Sequence, residues 1–422
     1  MKILVLGSGA REHSLVWRLQ QDPEVDTVIA APGNAGMALH TRTEPVELND
    51  PDAVLALAVR LEADLTVVGP EVPLAAGVAD AFAAAGRPIV GPTAAAARLE
   101  TSKAFAKAFM ERHGIPTARF AVVSSAGEAH AVASSATLGW PLVIKADGLA
   151  GGKGVVIASD PAEARLAIDD AMVDRRFGDA GGRVVLEECL QGPEVSLFAL
   201  SDGTDVRLLL SAQDHKRAYD GDNGPNTGGM GAFAPSPLLT AELTRRAMAG
   251  IVEPVIAGMR AEGHPYAGFL YAGLMLTSDG PKVIEFNARF GDPEAQVVLP
   301  ALAGPLATVL MASAKGTLAS APDLTWNGEM FAGVVLASGG YPGSIDTGFP
   351  IDGLDADQGD ALVFHAGTAE RDGRFVTAGG RVLTVVGRGS GFKAAIDRAY
   401  SAASLISFEK IFFRRDIGRS AL

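Results

Sequence analysis

The sequence predicts a multidomain protein built from α/β and α+β units, and three observations carry that prediction. Residues 1–92 alternate short β-like runs with alanine-rich helical runs, the pattern of a parallel sheet with helices on its faces. From about residue 115 the pattern changes to shorter strands and helices typical of α+β units. The chain has 422 residues, 48% of them apolar, which suffices for two to four domains with their own cores.

In the first unit, Lys2–Leu6, Thr27–Ala31, Leu65–Val68 and Pro88–Val90 read as strands. Leu15–Gln20, Asp52–Glu62 and Val78–Ala85 read as the helices between them. Residues 93–115 are rich in Ala, Lys and Phe and read as helical. A smaller unit follows, with strands Phe120–Val123, Pro141–Ala146, Gly154–Ala158 and Arg183–Glu187 and helices near 126–137 and 161–173. A third block has strands at 194–200, 206–212, 269–276 and 282–288, then one alanine-rich helix. After the Pro322-Asp323 loop, residues 330–422 form a last α+β unit. It includes the strand pair Arg374–Ala378 and Val382–Val386, joined by Gly379-Gly380.

The net charge of −13 argues against nucleic acid as a partner, because such proteins present a basic face. The single cysteine, Cys189, excludes an internal disulfide framework and a cysteine-based zinc cluster, and fits a reducing compartment. The N-terminal run enters a glycine turn after six residues, too short for the apolar core of a signal peptide. Ala295–Ala314 carries no charge but contains Pro300, Gly304 and Pro305, so it reads as a buried core helix rather than a membrane span. The expectation is a cytoplasmic protein with no membrane partner.

Four segments carry chemistry. Gly7-Ser8-Gly9-Ala10-Arg11-Glu12-His13 lies between a strand and a helix. It begins like a dinucleotide fingerprint, but Glu12 holds the third glycine position and no acidic residue follows at the ribose-binding distance. It reads as an anion site at a helix N-terminus with Arg11 as a guanidinium fork, a tight βα turn being the plain alternative. Lys145–Gly154 brackets a glycine-rich loop with Lys145 and Lys153. It lacks the Ser or Thr of a Walker loop, yet two cations and exposed N–H groups suit a triphosphate. A hairpin without function is the competing reading.

In Lys282–Arg289, alternation along a strand puts Glu285, Asn287 and Arg289 on one face. A carboxylate plus an amide oxygen is what hard Mg²⁺ accepts while it keeps waters and phosphate oxygens. Arg289 can clamp a carboxylate or a transferring phosphoryl group. Asp214-His215-Lys216-Arg217, followed by the loop Gly221–Gly231, suggests backbone brought close to a ligand, or else a mobile surface loop. No Ser-elbow, His-Glu zinc or other nucleophile motif is present, and Cys189 reads as a packing residue.

Lysines on a small lid-like unit, followed by a strand bearing Glu-x-Asn, resemble the ATP-grasp ligases. More closely, the chain resembles the phosphoribosylamine–glycine ligase family. The resemblance rests on Gly7–His13, Pro32–Gly36, Val68–Glu71, Ser102–Phe105, Ile144–Gly154, Gln213–Arg217, Gly224–Gly231, Gly268–Met275, Val283–Glu294, Gly339–Gly343 and His365–Thr368. It implies an N-terminal α/β (pre-ATP-grasp) unit over 1–102, a two-part ATP-grasp core over 103–320 with its lid near 118–190, and a C-terminal α+β unit over 328–422. It implies that Lys103, Lys145 and Lys153 touch nucleotide phosphates. Glu187, Glu188 and Leu190 would lie at the hinge beside adenine, Glu194 on the ribose, and Glu285 with Asn287 on magnesium, with manganese as a substitute. Gly9, Arg11, Glu12, Asn34, Glu71, Asp214, Lys216, Asn226 and Arg289 would bind the substrates glycine and 5-phosphoribosylamine, with Arg289 and Lys153 catalytic. The expected assembly is a monomer.

Two departures stand out. Ala10 replaces an expected glycine, so its backbone should avoid positive φ. The strand before Glu-x-Asn reads Tyr271-Ala272-Gly273-Leu274-Met275, without the acidic ligand many ATP-grasp proteins carry there. The implied reaction joins glycine to the amine through glycyl phosphate and needs no protein nucleophile. The rivals are a sister ATP-grasp or biotin carboxylase-like enzyme, a nicotinamide-dependent oxidoreductase built on Gly7-x-Gly9, and a non-catalytic nucleotide-binding regulator.

Overall fold

Five parallel strands open the molecule, in the order Arg42–Thr43, Thr27–Pro32, Lys2–Gly7, Leu65–Val68, Ile89–Val90. The computed structural model describes residues 1–149 and 154–422. The central strands are buried along their length, as a sheet covered on both faces requires. Helices Ala10–Leu19, Pro51–Arg60 and Val78–Ala84 cover it; the last two lie within two residues of their predicted spans, whereas the first begins five residues before its predicted start at Leu15. Asp50 caps the second of these by accepting from the Ala53 N–H at 3.0 Å, and Pro51 fits the first turn because its missing donor has no helical partner there.

The helical stretch after residue 93 is two helices, Ala94–Thr101 and Lys103–Arg112. Ser102 ends the first in extended geometry and caps the second through Oγ, which accepts from the Phe105 N–H at 3.1 Å. The lid is a four-stranded sheet ordered Phe120–Val123, Val184–Glu188, Leu142–Ala146, Val155–Ala158. Helices Ala126–Ser135 and Pro161–Met172 pack on it, as expected.

An eight-stranded sheet then runs Gly280–Asn287, Ala267–Thr277, Glu194–Asp202, Val206–Asp214, Gly231–Ala234, Met330–Ala337, Arg381–Gly389, Leu362–His365. The central and C-terminal units therefore share one sheet, joined where Gly231–Ala234 pairs antiparallel with Met330–Ala337. A single apolar cluster, including Leu4, Phe82, Phe109, Met259 and Phe286, connects the N-terminal unit to the Glu-x-Asn strand.

Two expectations are corrected. Ala295–Ala314 is not one helix: Ala295–Val298 and Leu306–Lys315 are separated by Leu302–Ala303, which pairs with Thr325–Trp326. Pro300, Gly304 and Pro305 break it, since proline lacks a donor and clashes with the preceding turn. Arg374–Thr377 does not pair with the strand after Gly379-Gly380; it pairs with Thr368–Arg371 while Arg381–Gly389 joins the large sheet. Gly379 instead packs on Gly367, and Gly380 faces the Tyr341 ring, where a Cβ would lie 2.3 Å from Cδ2. The helical stretch Ala241–Ala261 was not foreseen; it runs through a π turn at Met248–Val252. Among the described residues no helix is long and apolar enough to cross a membrane.

Candidate active site

The strand register collects the polar residues. Glu285 faces Gly273, and Asn287 faces Tyr271. Gly273 in turn faces Ser196, and Ser196 faces Ala212, so Asp214 and Glu194 lie on the same sheet face two residues along. The Glu285 and Asn287 side chains are half-buried. Among the described residues no cation lies within ion-pairing distance of Glu285. Burial works to raise its pKa, but Lys216, Lys145, Lys103 and Arg289 hold it below the ordinary carboxylate value. Two oxygen donors that no group among the described residues occupies, set among cations, fit a hard divalent ion that keeps waters and phosphate oxygens. Among the described residues no set of three or more His, Cys, Asp or Glu forms a closed metal cage. The facing positions, Tyr271 and Gly273, add no acid.

The cations come from three elements. Lys103, at the start of its helix, donates to the Gly148 carbonyl at 3.1 Å; burial lowers its pKa against the pull of Glu285. Lys145 donates to the Ile284 carbonyl at 3.1 Å and pairs with Glu187 Oε1 at 3.0 Å. Lys216 pairs with Glu194 Oε2 at 2.8 Å; burial disfavours its charge, but Asp214 and Glu194 raise its pKa well above the ordinary value. Asp214 itself is pushed up to about 7 by burial, against the pull of Lys216 and with the nearby Glu294 adding to the rise. Lys153 lies outside the described residues.

At the hinge, Glu187 is buried and Leu190 half-buried, while Glu188 accepts from the Arg119 N–H at 2.9 Å and Nε at 2.6 Å. Arg289 lies two residues past the end of its strand rather than within it. Its guanidinium bridges Glu71 (3.2 Å) and Glu100 (2.9 Å) and donates to the Phe290 carbonyl. Burial raises the Glu100 pKa, whereas Arg289 and Arg11 hold Glu71 low despite its burial.

The first glycine loop departs from its sequence reading. The Glu12 carboxylate folds back to accept from the Gly9 N–H at 2.6 Å and from Arg11 Nε at 2.5 Å. The anion position at this helix N-terminus is thus held by the protein's own carboxylate, which also stands where a dinucleotide pyrophosphate would approach. Arg11 is buried and reaches the Phe290 carbonyl at 3.3 Å. Ala10 begins the helix without positive φ, as its side chain demands. Asn34 donates to the Ser8 and His365 carbonyls and accepts from the Met37 N–H, so its amide ties a loop to the C-terminal unit. Asn226 ends a short hairpin opposite Arg217.

Residues that sequence reasoning did not single out complete the frame. Glu100 receives the Ala288 N–H at 2.7 Å. Arg381, from the C-terminal unit, donates to the Gly228 and Asp292 carbonyls and pairs with Asp292 Oδ2 at 2.8 Å. Gln296 and Glu294 are buried beside them. Of these, Asp292 and Glu294 carried a signal, as part of the matched Val283–Glu294 run.

Comparison with known proteins agrees with this geometry. Sequence profiles of phosphoribosylglycinamide synthetase match its N domain at residues 1–100, its ATP-grasp domain at 101–295 and its C domain at 331–420. A phosphoribosylamine–glycine ligase of Ralstonia nicotianae is 50% identical, with all of both chains covered. A crystal structure of the Thermotoga maritima phosphoribosylamine–glycine ligase superposes with a TM-score of 0.86 at 33% identity, covering 99% of this chain and 100% of that one. A biotin carboxylase of Campylobacter jejuni shares the fold, with a TM-score of 0.73 over 97% of this chain and 92% of its own, but at 16% identity shows no more than that. Along its whole length, the chain belongs to the phosphoribosylglycinamide synthetase family of ATP-grasp ligases.

Proposed function

We propose that this chain joins glycine to 5-phosphoribosylamine with ATP, giving glycinamide ribonucleotide, ADP and phosphate in purine biosynthesis. A glycine carboxylate oxygen attacks the γ-phosphorus, the bond to the β–γ bridging oxygen breaks, and ADP leaves. The amine nitrogen then attacks the glycyl carbonyl carbon, the acyl–oxygen bond breaks, and phosphate leaves with loss of one amine proton. The chain's own contribution is positioning and charge neutralisation, which suits a reaction needing no protein nucleophile.

The observation that carries this reading is the pair Glu285 and Asn287, unoccupied by any group among the described residues and with the charges of Lys103, Lys145, Lys216 and Arg289 close by. Glu285 and Asn287 would hold magnesium, or manganese in its place, which would neutralise phosphate charge. Lys103, Lys145 and Lys153 take the nucleotide phosphates; Glu187, Glu188 and Leu190 border adenine, and Glu194 meets the ribose. Asp214, Lys216 and Arg289 serve glycine, and Arg289 with Lys153 supports phosphoryl transfer. Gly9, Arg11, Glu12, Asn34, Glu71 and Asn226 shape the amine site between the units, with boundaries at 1–102, 103–320 and 328–422. The protein works in the cytoplasm as a monomer.

The test is ADP release with purified protein. Release that requires glycine and 5-phosphoribosylamine together, with glycine hydroxamate formed when hydroxylamine replaces the amine, is expected. Release driven by bicarbonate, or by another acid in glycine's place, would overturn the assignment.

A further inference from the structure

Beside the nucleotide site lies a buried charge cluster in which one carboxylate serves two ammonium groups. Glu187 Oε2 is 2.8 Å from Lys107 Nζ, and Oε1 is 3.0 Å from Lys145 Nζ. All three side chains are about 95% buried or more. Lys107 also donates to Thr117 Oγ1 at 2.7 Å, whose hydroxyl donates to the Val283 carbonyl at 2.7 Å, two residues before Glu285. The Lys103–Arg112 helix thus presents two lysines one turn apart, Lys103 towards Gly148 and Lys107 towards Glu187.

We propose that Lys107 is a positioning residue for nucleotide binding: by sharing the Glu187 carboxylate, it leaves Lys145 anchored yet still able to neutralise a phosphate. The inference rests on the reading of Lys145 as a phosphate ligand. Two cations and one anion leave one net positive charge in the cluster. Without Lys107, Glu187 and Lys145 would form a buried one-to-one pair, and an incoming phosphate would have to compete with a full carboxylate in a low-dielectric setting. The geometry agrees. Among the described residues Glu187 Oε1 has no aligned hydrogen-bond donor although Lys145 is 3.0 Å away, and the Lys145 ammonium donates instead to the Ile284 carbonyl. Lys107 is itself spent on the Glu187 carboxylate and the Thr117 hydroxyl.

The test uses the full chain with Lys107→Met, Lys107→Gln, Lys107→Arg and Lys145→Met. Calorimetry gives the Kd of ADP with Mg²⁺, and steady-state kinetics gives KM for ATP and for glycine. Lys107→Met should weaken ADP and raise the KM for ATP about tenfold, near 1.4 kcal/mol of lost attraction, while the KM for glycine stays within about twofold. Lys107→Arg keeps the charge and should hold ADP binding to within about threefold of the parent. An ADP Kd for Lys107→Met within twofold of the parent, or Lys107→Arg no tighter than Lys107→Met, overturns the proposal; so does an equal rise in both KM values. If Lys107→Met does not fold, the neutral Lys107→Gln takes its place, and ADP binding within twofold of the parent there overturns the proposal. Unchanged ADP binding in Lys145→Met would sink both the proposal and the phosphate reading. Weak binding in Lys145→Met with normal binding in Lys107→Met sinks the proposal only.

Discussion

The His13 ring accepts, through Nδ1, the backbone N–H of His365 at 2.9 Å across 352 residues of sequence. The contact seals the N-terminal unit against the C-terminal one, with Phe364 edge-on to the His13 ring and Thr368 Oγ1 3.0 Å from His365 Nδ1.

Both imidazoles resist protonation. Burial, with His365 and His40 adding to it, lowers the His13 pKa to about 3, and burial, with His40, lowers that of His365 to about 4. A histidine whose folded pKa is depressed contributes stability that is complete above its unfolded value of about 6.5 and is lost as pH falls below it. Each ring should therefore cost up to about 1.4 kcal/mol per pH unit between pH 6.5 and 4. Urea unfolding at pH 7, 6 and 5 reads the slope. His13→Gln, which keeps an acceptor and cannot protonate, should flatten it; equal slopes in the two proteins would refute the account.

Glu285→Gln should keep the fold and lose nearly all turnover, because a neutral amide binds Mg²⁺ far more weakly than a carboxylate. Glu285 has no partner within ion-pairing distance among the described residues, so little structure depends on it. Thermal melting should stay within a few degrees of the parent. Activity near the parent value at saturating Mg²⁺ would remove Glu285 from the metal site.

Arg11→Ala should impair use of the ribose-phosphate amine about ten- to a hundredfold while glycyl phosphate formation survives, since a charge-assisted hydrogen bond contributes roughly 1.5–3 kcal/mol. Because Arg11 also balances the buried Glu12, Arg11→Ala/Glu12→Gln is the control for stability. Hydroxylamine trapping measures the first half-reaction by itself. Equal loss of both activities in a folded variant contradicts the division of labour between the units.

Gly69→Ala tests the first loop. A Cβ there would lie 2.2 Å from Glu12 Oε1 and 2.4 Å from Cγ, in a buried place with no slack. The overpacking should cost about 1–3 kcal/mol and displace the carboxylate from the Gly9 N–H. A chemical-shift map centred anywhere but residues 7–13, or no loss of stability, would contradict it.

The sequence disclosed regular structure where periodicity was strong and concealed it where a few residues overrode the pattern. Lys2–Leu6 and Leu65–Val68 read as parallel strands because they are apolar on both faces, and Glu285 and Asn287 read as neighbours on one face because alternation along a strand fixes it. Ala295–Ala314 misled because its apolar run hides the force of Pro300 and Pro305. The Gly379-Gly380 turn misled because its neighbours, Gly367 and Tyr341, come from distant sequence. Glu12 looked like a blemish in a glycine fingerprint, and only its fold-back onto Gly9 explains it. Lys107 sits in a helix rich in charge, where nothing local distinguishes a buried cation from a solvated one.

The shared eight-stranded sheet limits how this chain can be cut. Gly231–Ala234 is sandwiched between Val206–Asp214 and Met330–Ala337, and its Gly-Ala-Phe-Ala sequence carries neither a charge nor a proline to discourage pairing. A chain severed in the 320s would leave that strand as a bare sheet margin, the kind of surface to which another polypeptide readily adds itself. An engineer seeking a minimal nucleotide-binding core would do better to cover that margin with a designed strand bearing lysines than to stop at the domain boundary.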